Sequence, residues 1–84
     1  MNEDLTRKIV AWAAETAKCA VELPSKQARE AYLEERRRDL AEGAAAEGAA
    51  PHDAAILADT CIDAARRILS ELLAQRASAY SGHA

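Results

Sequence analysis

Prolines stand at two places in this sequence, Pro24 and Pro51, and cut it into three segments whose apolar residues recur at helical spacing. A proline lacks the amide hydrogen that a helix interior uses and pushes the preceding residue out of helical geometry, so Pro24 has to end a helix. Pro51 instead suits the first turn of one, where that hydrogen has no partner anyway. The expected fold class is therefore all-α: an antiparallel three-helix bundle of up-down-up order, with helices at about residues 3–22, 26–47 and 53–77.

In the first segment Leu5, Ile9, Trp12, Thr16, Cys19 and Leu23 alternate at spacings of four and three, which stacks them on one side of a helix. Val10, Ala14, Ala17 and Val21 form a second stripe beside it, so the apolar sector is wide enough to touch two neighbours. Asn2 is the expected N-cap, with Thr6 as the second choice, and Glu3 and Asp4 suit the positive end of the helix dipole. Ser25, after the Pro24 corner, is a good cap for the second helix.

The second segment is built from strong helix formers but carries five basic and five acidic residues between Lys26 and Glu42. Its best inward line is Arg29, Leu33, Arg36 and Leu40, in which two of four members are arginine. Two readings fit these arginines. Their stems can lie along apolar surface while the guanidinium groups reach water or a neighbouring carboxylate. Alternatively, Arg29 and Arg36 contact an anionic ligand or partner, for which the forked guanidinium is suited.

The third segment follows the doubled word AEGAA, with Gly43 and Gly48 in matching places. Alanine favours helix and each glycine costs roughly 1 kcal/mol inside one, so the repeat reads as a helix end plus connector. It lacks the Gly-Lys-Ser/Thr ending of a phosphate loop. Beyond it, Leu57, Cys61, Ala64, Ile68 and Leu72 form one stripe, and Ala58, Ile62, Ala65, Leu69, Leu73 and Tyr80 widen the sector to half the circumference. Residues 1–78 make the helical domain and 79–84 a frayed tail.

A chain of 84 residues, apolar in half its positions but with alanine in place of phenylalanine, builds a thin core. Helices 1 and 3 offer more apolar width than the arginine-bearing helix 2 covers, which predicts a homodimer, the commonest symmetric assembly. The expected interface residues are Val10, Trp12, Val21, Ile62, Leu69 and Leu73. An unidentified protein partner is also compatible with this reading.

Net charge is −3, so a general attraction to phosphate backbones is missing. Arg36, Arg37 and Arg38 project about 100° apart around a helix and do not make one patch, which argues against nucleic acid. Charged residues interrupt every run well short of the roughly 20 apolar positions that a bilayer requires. The N-terminal MNEDLTRK lacks the basic start and apolar run of a secretory signal, and Cys19 and Cys61 are isolated, which points to a cytoplasmic protein with free thiols on its apolar stripes. No cofactor, metal or catalytic residue is expected. His52 and His83 stand apart, and the acid pairs Glu30/Glu34, Glu35/Asp39 and Asp59/Asp63 are interleaved with arginine on faces expected to be wet. The expected function is a small, self-associating helical interaction or accessory protein without catalytic activity. The alternative is a small regulator that binds an anionic ligand or nucleic acid through the arginines of helix 2.

Overall fold

In the first helix, Glu3 and Asp4 occupy the first turn and Lys18 the last, each at the end where its charge opposes the helix dipole. In the computed structural model, which describes residues 3–81, this helix is α1, Glu3–Val21. Asn2, the expected cap, and residues 82–84 lie outside the described residues, as does the side chain of Tyr80. The amides of Glu22 and Leu23 donate to the carbonyls of Cys19 and Ala20, tightening the last turn before Pro24 stops the helix.

The second helix, α2, spans Lys26–Ala46. Ser25 caps it: its backbone is extended and its hydroxyl accepts from the Ala28 amide at 3.1 Å, a contact worth roughly 1 kcal/mol. At the other end the Gly48 amide donates to the Ala45 carbonyl and the Ala49 amide to Ala44, the paired bonds of a Schellman closure. That closure requires a left-handed residue, and Gly48 has φ +105°.

The third helix, α3, spans Pro51–Ser81, with Pro51 in its first turn and the Ala54 amide bonded to the Ala50 carbonyl. It begins two residues before the expected Asp53 and continues past Ala77, so residues 79–81 are helical, contrary to the expected tail. The described chain is all-helical, with three helices and no strand among the described residues.

The helices do not share their contacts evenly. α3 packs extensively against both α1 and α2, whereas α1 and α2 touch each other sparsely. The result is a long, flattened body of 53 × 28 × 15 Å with α3 as the common support. Its core joins Ala13, Ala17, Ala20 and Val21 of α1, Leu33 of α2, and Ile62, Ala65 and Leu69 of α3. Leu33, 1% exposed, is the single large side chain fully enclosed among the described residues. Alanines fill half of the core positions, and each contributes less buried area than a larger residue would.

The buried face of α1 differs from the expected one. Ile9, Ala13, Thr16, Ala17, Ala20 and Val21 are buried, while Leu5, Val10 and Cys19, assigned to apolar stripes, are exposed. The inward face runs between the two expected stripes, through alanines that a hydrophobicity count underweights. On α2 the expected line is present: Leu33 is buried, and Arg29, Arg36 and Leu40 flank it half-buried.

Candidate functional site

Arg36 is held by the chain itself. Its guanidinium carbon lies 5.7 Å from the centre of the Trp12 ring, and Nη1 stands 3.6 Å from Asp39 Oδ2. Stacking on an indole face and pairing one turn along the helix are both attractive for a guanidinium. Its Nε is buried without a hydrogen-bond partner among the described residues. Arg36 also borders a groove of about 340 Å³ that includes Asp39, Leu40, Glu47 and Leu57, where two carboxylates counter the charge.

Arg29, seven residues earlier, sits in a different setting. It lines a second groove, about 210 Å³, between the start of α2 and the middle of α3, together with Lys26, Glu30, Arg66, Leu69, Ser70 and Leu73. Arg66 donates through Nη1 to both Glu30 oxygens, at 2.8 and 2.6 Å. The two arginines expected to act together therefore border separate grooves.

Further ion pairs tie the helices together. Arg37 binds Glu34 one turn back on α2, with Nε at 3.0 Å from Oε2, and reaches Asp59 of α3 at 4.0 Å. The Arg37 hydrogen bond and charge hold the Glu34 carboxyl below its ordinary 4.5. Arg76 of α3 donates to the Val21 carbonyl at 3.1 Å and to the Glu22 carboxylate, closing the end of α1. The partners are substantially exposed, so each pair adds little stability and mainly fixes alignment.

The expected interface residues divide. Val21, Ile62 and Leu69 are buried in the chain's own core, so the inference that three helices leave them uncovered is corrected at these positions. α3 presents adjoining stripes to α1 and α2, and small alanines let both neighbours reach them. Trp12 and Leu73 are half-buried and pack against that core. Val10 alone of the six is exposed, at 53%. Leu5, placed on an apolar stripe of the first helix, and Ile56, outside the named stripes, are also exposed, at 39% and 52%, and neither is among the expected interface residues.

The thiols also divide, since Cys19 is exposed while Cys61 is buried. Burial pushes the Cys61 thiol above its ordinary 9.0. Burial likewise raises the Tyr32 phenol, and contact with Cys19 adds to that rise. No group of three or more His, Cys, Asp or Glu among the described residues is placed to hold a metal ion, and no helix among them is long and apolar enough to cross a membrane. Comparisons with family models, with curated proteins and with solved structures find no match for this chain.

Proposed function

We propose that this chain is a small cytoplasmic helical interaction module that self-associates as an accessory subunit and carries no catalytic activity of its own. The observation that supports this reading is the exposure of three large aliphatic side chains, Leu5, Val10 and Ile56, in a chain whose other apolar residues are mostly covered. Cross-helix pairs suggest at which end of the bundle these residues lie. Arg66 meets Glu30 and Arg37 approaches Asp59, so partners descend along α3 as numbers climb along α2; Arg76 meets Glu22 near the C-terminal sides of α1 and α3. These pairings favour up-down-up order. In that order Leu5, Val10 and Ile56 belong to the end of the molecule remote from Arg76.

A second copy is the proposed cover, because a two-fold contact lets the same exposed side chains serve both partners. Size exclusion with light scattering then gives about twice the 9.0 kDa chain mass, and thermal stability rises with concentration by mass action. Val10→Asp combined with Ile56→Asp returns the chain to a folded monomer. A wild-type chain that stays monomeric at every concentration overturns the reading.

A further inference from the structure

Arg29 is half-buried, and no ion pair or hydrogen bond from its guanidinium is present among the described residues. Partial burial strips water from a charge, so an uncompensated cation there favours any anion able to reach it. Two more cations border the same groove. Lys26 is exposed at its mouth, and Arg66 spends Nη1 on Glu30 while its remaining guanidinium N–H groups are not engaged by the described residues. Three cations against one carboxylate leave an excess of two positive charges.

We propose that the groove between the first turn of α2 and the middle of α3 binds a small organic phosphate monoester, with Lys26, Arg29 and Arg66 contacting the phosphate and the Ser70 hydroxyl available as a further donor. The charge selects the ligand class, because a phosphate monoester carries about −1.5 to −2 near neutral pH and a carboxylate only half as much. The forked guanidinium groups suit its paired oxygens. The apolar side chains of Leu69 and Leu73 on the same wall suit an ester group rather than the free ion. This site is separate from the self-association surface, and either can fail without the other.

The test is titration of the ¹⁵N-labelled full chain with phenyl phosphate, followed by amide shifts, with benzoate and a short single-stranded oligonucleotide as comparison ligands. Saturable shifts confined to residues 26–30 and 66–73, larger affinity for phenyl phosphate than for benzoate, and weakening with salt are expected. Arg29→Gln and Lys26→Gln should each raise Kd about tenfold, the loss of one charge-assisted hydrogen bond. Arg67→Gln, exposed and outside the groove, should leave Kd unchanged. Lys26 is exposed, so its variant decides the matter if the Arg29 variant misfolds. Absent or diffuse shifts, equal binding of benzoate, binding of the oligonucleotide alone, or unchanged affinity in Lys26→Gln would each overturn the proposal.

Discussion

Gly43 and Gly48 hold matching places in a tandem repeat, yet Gly43 lies inside α2 while Gly48 turns the chain beyond it at φ +105°. A Cβ added at either position meets nothing within 4 Å, so sterics with neighbours do not separate them. Backbone geometry does. Gly43→Ala should stabilise the protein by about 0.5–1 kcal/mol, by removing chain freedom and raising helix propensity. Gly48→Ala should destabilise it by about 1–2 kcal/mol, the cost of a left-handed L-residue. Urea denaturation of the two variants checks both signs, and equal signs would contradict the assigned closure.

Leu33 supplies most of what α2 gives to the core. Its truncation to alanine should lower the unfolding free energy by about 2–5 kcal/mol, because removal of a fully enclosed side chain leaves a cavity as well as losing transfer energy. Leu40→Ala, at a half-buried place on the same line, should cost clearly less. The comparison is read from denaturation midpoints.

The Glu34–Arg37 pair gives an acid-dependent contribution with a defined sign. The folded-state carboxyl titrates below 4.5, so protonation favours the unfolded chain. The contribution is complete above that value and fades as pH falls through the lowered one. Thermal midpoints of wild type and Glu34→Gln should therefore differ most near neutrality and converge in acid. A gap that widens with acidification would reverse the assignment.

The two thiols should be chemically distinguishable. An aromatic disulfide reagent should modify exposed Cys19 promptly in the folded protein, whereas Cys61, buried and kept protonated, should react only on unfolding. Cys19→Ser should abolish the fast phase. Mass mapping of the labelled peptide identifies the site directly.

The joints of this fold were readable because their chemistry is local: Pro24, Ser25, Gly48 and Pro51 each act within a few residues of themselves. The buried line of α2 was readable for the same reason, since Leu33 stands out among charged neighbours. The inward face of α1 was displaced because Ala13 and Ala20 carry little hydrophobic signal, although close helix approach selects for them. Helix width also misled the inference about cover. Val21, Ile62 and Leu69 found neighbours in their own chain once α3 was seen to serve two partners.

The grooves depend on longer reach. Lys26 and Arg29 stand three apart and share a helix face, but Arg66 joins them only because Glu30 holds it from 36 residues away. Likewise, spacing places Arg29 and Arg36 on one line, and the α3 surface opposite them decides that they border different grooves.

Because both flanking rods lean on α3 and scarcely on each other, neither can bury its inward face within the described chain before α3 is present. A ribosome delivers the shared support last, so α1 and α2 emerge with their apolar faces lacking a docking surface until α3 follows. Docking of α1 and α2 then waits for the translation of α3, which follows them in the chain.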